Sequence, residues 1–388
     1  MPLLQAQPHR HGVPSPAFVP NQSRAERTTS FDVADFPMPS GREEEWRFAP
    51  VDTLGGLLAD RPSDAHLAWE TGLPAGVTLT EISTERAREL GAQPPGDRAA
   101  VLAVAHSGAA MLLEIPVEAE PDAPVRVRLT GHGRDVVRSH LVVAAGRHSK
   151  ATVVLEHDGT TALSEVVSVL VGDGADLTVV TVQGWDGDAL HLAQHDATLG
   201  RDARYKHVCV TLGGKVVRLN TIVRYAGPGA SATLLGVYFA DAGQHLEHRS
   251  FVDHSTAHCT SLVTYKGALQ GDTAHTVWVG DVLIRASAEG TDTYELNRNL
   301  VLTDGARADS VPNLEIETGE IARAGHASAT GRFDDEQLFY LQARGIPESE
   351  ARRLVVRGFF VDVIAQIGVP DVQEQLMAAI EAELATAP

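Results

Sequence analysis

The chain has 388 residues, with 32 basic and 51 acidic side chains, and so a formal net charge of −19 with histidine neutral. That balance, with no basic run, excludes a phosphate-reading nucleic-acid surface, and no stretch approaches the roughly 20 consecutive apolar residues of a membrane-spanning helix. Only two cysteines are present, Cys209 and Cys259, and they form no CxxC pair, so neither a disulfide framework nor a self-contained zinc or cluster site is indicated.

Residues 1–40 hold seven of the twenty prolines and few apolar periods. They are expected to form a poorly ordered arm that becomes fixed only against a partner. The amino terminus lacks the charged-then-apolar order of a signal peptide, and the protein is expected in the cytosol. Residues 41–124 read as a helical and mixed domain, with a short helix over residues 78–91 whose Leu79, Ile82 and Leu90 share one face.

From residue 125 to about 331 the pattern changes to short runs rich in Val, Leu and Thr, among them VRVRL, KATVVLEH, DLTVVTVQG and SATLLGVYFA. Turn signals separate them at Gly172-Asp173-Gly174, Gly213-Gly214, Gly227-Pro228-Gly229 and Asp304-Gly305. A mainly β body follows, and a sandwich, a barrel or a β-solenoid each satisfies the pattern. Gly-Ala recurs before apolar runs at Gly174, Gly229 and Gly305, as a reused corner would require, but at unequal spacings.

Within this body His245, His248, His254, His258 and Cys259 place five candidate ligands in fifteen residues. Strand alternation sets His248, His254 and His258 on one face and Cys259 on the other, and the spacing fits no common zinc pattern. Core packing is one reading of this group. An independent metal-binding protein using the His245–Cys259 region, with Cys259 as its thiol ligand, is another. Cys209, inside VCVTL, reads as a buried small hydrophobe.

Residues 312–346 join the β body to a helical carboxy terminus. Leu314, Ile316 and Ile321 give strand alternation, and His326 follows on a strand-end turn among small residues. Asp334 and Gln337 form a capping box, Leu338 and Leu341 supply an apolar helix face, and Gly345 stops the helix. Residues 332–388 then continue as a helical subdomain. Pro347 opens a second helix with Leu354, Val355, Phe359 and Ile364 as its buried stripe and Arg352, Arg353 and Arg357 on its charged side, and Pro370 opens a third through Val372, Leu376, Ile380 and Leu384.

GxxxxGK[ST], GxSxG, HExxH and GxGxxG are all absent from the sequence, so no motif for nucleotide hydrolysis is read in it. A β-helical carbohydrate-active enzyme would need paired carboxylates and sugar-stacking aromatics, and aromatics make up 5% of the chain.

The stretch PNLEIETGEIARAGHASATGRFDDEQLFYLQARGI resembles the core signature of the SufB/SufD family of iron–sulfur cluster assembly scaffolds. SGREEEWRFAPVDTL, EHRSFVDHSTAHCTSLVTYKG, TDTYELNRNLVLTDGARADS and RRLVVRGFFVDVI extend the likeness over most of the chain from Ser40 onward. Ala324 stands where family patterns place a cysteine two residues before the histidine, and in this the sequence is similar to the SufD branch.

The resemblance implies a right-handed parallel β-helix with a mixed segment before it and helices after it. It implies a non-enzymatic subunit that pairs with SufB and docks the SufC ATPase through its terminal helices, with Arg352, Arg353, Arg357, Phe359 and Phe360 as partner-facing candidates. It also implies that His326 contributes a ligand to an iron–sulfur cluster shared transiently with SufB, whose thiolates the partner supplies. Flavin, considered for complexes of this family, has no motif here.

Overall fold

The structure, a computed structural model, describes residue 23, residues 26–333 and residues 335–386. Alternation of inward apolar and outward side chains runs through a series of ten-residue strands. In β6 (Asp176–Trp185), for example, Leu177, Val179 and Trp185 enter the core. Before it, β4 (Val125–Ala145) and β5 (Lys150–Val171) are twice as long because each bends around a corner and serves two faces. After it come β7 (Leu190–Leu199), β8 (Arg204–Thr211), β9 (Val216–Tyr225), β10 (Ser231–Ala240), β11 (His245–His254), β12 (Thr260–Leu269), β13 (His275–Ile284), β14 (Asp292–Val301), β15 (Arg307–Ile316) and β16 (Arg323–Arg332).

These strands pair in parallel, odd with odd on one side of the β5–β6 junction and even with even on the other, in the order β15-β13-β11-β9-β7-β5-β6-β8-β10-β12-β14-β16. The body is therefore a parallel β-solenoid of about eight turns, flattened into two sheets that share one core. Sandwich and barrel are set aside by this order. Register partners lie from 26 residues apart (Lys150 and Asp176) to 32 apart (Thr260 and Asp292), which is why the sequence period is weak. Gly174 (φ 65°) and Gly229 (φ 77°) take the left-handed corner conformation, each followed by a fully buried alanine, Ala175 and Ala230.

The first turn is capped by the mixed segment: α1 (Gly55–Leu58), β1 (Ala68–Gly72), β2 (Thr78–Ile82), α2 (Thr84–Leu90), α3 (Arg98–His106) and β3 (Ala110–Ile115). β1 joins β4 antiparallel, and β3 joins it in parallel. The helix expected over residues 78–91 is corrected here. Its first half, TLTEI, is strand β2, because alternating threonines suit an extended backbone. Only after Ser83, whose Oγ accepts from the Arg86 N–H, does the chain turn helical, and Gly91 (φ 113°) ends it. Of residues 1–40, those from 26 on are described and pack on the solenoid, with Phe36 buried. The rest of the arm lies outside the described residues, apart from Ser23.

The carboxy-terminal helices are α4 (Asp335–Ala343), α5 (Glu348–Ile364) and α6 (Pro370–Thr386). The expected cap residue Asp334 lies outside the described residues. Gly345 (φ 85°) ends the turn after α4. α5 and α6 lie on the outer face of the even sheet, where Val356, Phe360, Val363, Val372, Leu376 and Ile380 meet Val208, Leu235, Val237 and Phe239.

The buried stripe of α5 is thus Ala351, Val356, Phe360, Val363 and Ile364, not the expected Leu354, Val355 and Phe359. Leu354 is exposed. The sheet face, which periodicity alone does not reveal, selects which side of the helix docks. Lys266 on β12 fixes the choice by donating from Nζ to the Phe359 carbonyl (2.8 Å) and to Asp362 (2.6 Å). Phe360 is fully buried, a packing contribution of about 2 kcal/mol, and it is corrected from partner contact to core residue.

Candidate functional site

His326 does not sit on a turn. It is the fourth residue of β16, the last strand of the even sheet. β16 pairs with β14 alone and β15 with β13 alone, so the final coil carries two free backbone edges among the described residues. The register sets Thr293 opposite Ala324, Glu295 opposite His326 and Asn299 opposite Thr330. Ala324 packs on the core, and the Asn299 amide donates to Thr330 Oγ1 (3.3 Å). By strand alternation His326 belongs to this same inward face. It is nevertheless exposed, because no further coil among the described residues covers it.

Beneath His326 the interior is polar. Glu295 is 1% exposed, and neither carboxylate oxygen has a hydrogen-bond partner. Burial, with the Asp281 carboxylate as a second cause, raises its carboxyl well above the ordinary range, so it stands as a neutral acid. Gly280 on β13 makes the room: a Cβ there would lie 2.9 Å from Glu295 Oε1 and inside the Trp278 ring. Alongside, the Asn297 amide donates to Tyr238 Oη (3.0 Å), Tyr238 donates to Asn299 Oδ1 (2.7 Å), and the Asn299 amide donates to Asn297 Oδ1 (2.8 Å) and Ser310 Oγ (3.0 Å). This network locks β14, β15 and β16 together at the open end.

Neither cysteine reaches that end. Cys209 faces the interior beside Gln183 and Thr211, and burial pushes its thiol up to about 12. Cys259 is buried against the Gly227 and Ala257 carbonyls, both at 3.6 Å. The structure does not bring the His245–Cys259 residues together. His248 stacks on Tyr238 and His254 on Tyr225, both inside the solenoid, and His245 contacts His275 and Glu247. His258 occupies a left-handed corner position (φ 59°). Cys259 therefore gains no second metal ligand from this group among the described residues.

On α5, Arg352 pairs with Glu348, Arg353 with Glu350, and Arg357 with Glu381 across to α6. These are solvated ion pairs on the outer side of the helices. Near them Phe339, Tyr340 and Val361 are exposed, the first at 72%.

Two features escaped sequence reasoning. Glu295 carried no signal beyond a charged residue inside the alternation YELNRNLV. The second is a buried ionic cluster beneath the amino-terminal segment. Arg218, stacked on Trp46, donates to Asp97 (2.7 Å), Glu247 (3.3 Å) and the Glu45 carbonyl (2.9 Å). Burial works to raise the Glu247 carboxyl, but Arg218, His245 and Arg249 outweigh it and bring it down to about 2. The acid cluster and tryptophan of SGREEEWRF thus anchor this segment to the odd sheet, beside a cleft of about 320 Å³.

Residues 127–359 match the family model described as the SufBD core domain of the SUF system for iron–sulfur cluster assembly. An iron–sulfur cluster assembly SufBD family protein of Mycobacterium bovis is 52% identical over 372 residues, 93% of each chain. Its counterpart in Mycobacterium leprae is 50% identical over 368 residues, 92% of this chain and 93% of that protein. The iron–sulfur cluster assembly protein SufD of Bacillus subtilis is 28% identical over 277 residues, covering 69% of this chain and 63% of that one.

Proposed function

Because the chain belongs to the SufBD family of iron–sulfur cluster assembly proteins, we propose that it acts as a SufD-like scaffold subunit, without catalysis of its own, that pairs with SufB and docks the SufC ATPase. The observation that carries this reading is the open last coil: two strand edges, β15 and β16, unpaired among the described residues, around an exposed His326 that has no thiol of its own nearby. Such edges favour addition of a partner's strands. A nascent cluster, as cargo, would take nitrogen from His326 and thiolates from SufB. Ala324 in the expected cysteine position fits a donor that supplies only one part of the site.

Docking of SufC belongs on the outer side of α4 and α5. Phe339, Tyr340, Leu354 and Val361 are exposed there, with Arg352, Arg353 and Arg357 beside them, and Phe359 is half-buried at its margin. Buried aromatic and arginine anchors are what a protein partner uses most. The carbohydrate-enzyme reading draws no support from the family match.

Co-expression with SufB and SufC, followed by affinity capture of this chain, tests the assignment. All three are expected to elute together. If this chain elutes alone while SufB and SufC are present in soluble form, the assignment fails.

A further inference from the structure

On the outer face of the odd sheet, β11 and β13 each open on a histidine. His245 and His275 are register partners at the first positions of these strands. Strand alternation turns both outward, since Leu246 on β11 and Trp278 on β13 enter the core. Their Nδ1 atoms stand 3.1 Å apart. The His275 side chain is the more open of the two, at 23% exposure against 10% for His245.

Each ring is held from behind by a carboxylate. Glu247 Oε1 pairs with Arg218 (3.3 Å) and Arg249 (3.2 Å), so this group is ionised, and its Oε2 lies 3.4 Å from His245 Nε2. Asp309 on β15 pairs with Arg307 (2.8 Å), and its Oδ2 lies 2.7 Å from His275 Nε2. An ionised carboxylate only accepts, so in both neutral rings the proton is on Nε2. The two Nδ1 lone pairs are then turned toward one another, an arrangement that a cation relieves.

A shared proton and a metal ion are the two cations of the right size, and the ring geometry favours the metal. In a straight N–H···N bond of 3.1 Å the ring centroids would stand about 5.4 Å apart. They stand 4.8 Å apart with their planes at 74°, so the rings are bent off that line, as two ligands of one ion are. With metal–nitrogen bonds of about 2.0–2.1 Å, nitrogens 3.1 Å apart subtend about 100° at the ion, close to the tetrahedral angle. The carboxylates behind the rings supply the outer-shell partners that ligating histidines ordinarily have.

We propose that His245 and His275 bind one divalent transition-metal ion of the zinc type through Nδ1, with Glu247 and Asp309 orienting the rings. Imidazole donors select such an ion over calcium or magnesium, which take oxygen shells. The described residues bring no third histidine, cysteine or acidic ligand to this point, so water completes the shell and the ion exchanges with solvent. Binding joins β11 to β13 and, through Asp309, braces β15, the last odd strand. The site does not depend on the scaffold reading, because His326 lies on the other sheet, in β16.

The test is zinc titration of the full chain, free of any affinity tag and stripped with chelator, with cobalt as the spectroscopic probe. One equivalent of zinc is expected to bind and to raise the melting temperature. Affinity should fall roughly ten-fold or more in His245→Gln and His275→Gln and about 10- to 100-fold in Asp309→Asn, and stay unchanged in His326→Ala. The cobalt complex should show ligand-field bands without a thiolate charge-transfer band. Zinc that leaves the wild-type melt unchanged overturns the proposal and leaves the pair sharing a proton only. Histidine variants that bind as tightly as the wild type, or loss of binding in His326→Ala, overturn it too. Where a variant does not fold, anomalous diffraction from wild-type crystals grown with zinc decides: a peak between the two Nδ1 atoms supports the site, and its absence refutes it.

Discussion

Glu295 is the register partner of His326 on the neighbouring strand, so a buried neutral carboxylic acid lies directly under the exposed imidazole at the open end of the solenoid. Its pKa is raised in the fold. The stability linked to it is therefore fully present below the unfolded-state value of about 4.5 and declines as pH rises towards the folded-state value.

Glu295→Gln removes that decline. The variant is expected to melt close to the wild type at pH 5 and above it by pH 8, with a gap that grows by roughly 1.4 kcal/mol per pH unit while the folded acid stays protonated. Thermal melts across this range check it. A variant less stable than wild type at every pH would mean that Glu295 is ionised and paired.

Interior histidines give the opposite slope. Burial drives His248 and His254 down to about 3 and His140 down to about 4. Each stays neutral in the fold and protonates in the unfolded chain below about pH 6.5, so stability is full above that pH and falls as pH drops towards 4. By pH 5.5 each removes about 1.4 kcal/mol. Urea midpoints at pH 7.5 and 5.5 should differ accordingly, and unchanged midpoints would place these rings in water.

Much of this architecture was legible in the sequence, and what was not has physical causes. The apolar alternation marked the strands, and the Gly-Ala corners at Gly174 and Gly229 are real corners. Parallel stacking was not legible from periodicity, because register partners vary from 26 to 32 residues apart and pairing is a long-range choice. His326 was legible as a site residue only through family likeness. It was misplaced on a turn because AGHASAT offers no apolar residue larger than alanine to mark a strand. His191 and His195, four apart in HLAQHDATL, share a strand face, but only the stacked coils bring Glu165 to them.

Both thiols should be inert in the native protein. Cys209 and Cys259 are buried, and burial raises both. Iodoacetamide at pH 8 is expected to label neither until denaturant is added, when both react. Rapid native labelling of Cys259 would show that the corner beside His258 opens and would restore this thiol as a candidate ligand.

Gly267 on β12 has no room for a side chain, since a methyl there would enter the Tyr238 ring, the same ring that hydrogen-bonds Asn297 and Asn299. Gly267→Ala is expected to cost about 3 kcal/mol or more and to loosen the open end. Chemical denaturation gives the magnitude. A loss below about 0.5 kcal/mol would contradict the packing described for that coil.

The central claim is that His326 contributes a ligand at an interface and nothing to the fold. Because the side chain is exposed, His326→Ala should change stability by no more than about 0.5 kcal/mol. The decisive measurement is anaerobic iron–sulfur reconstitution on the co-purified complex with SufB and SufC, followed by absorbance and iron content, in wild type and His326→Ala. The account predicts an intact complex with cluster formation lost or strongly reduced. An intact His326→Ala complex that assembles clusters at the wild-type level would contradict it.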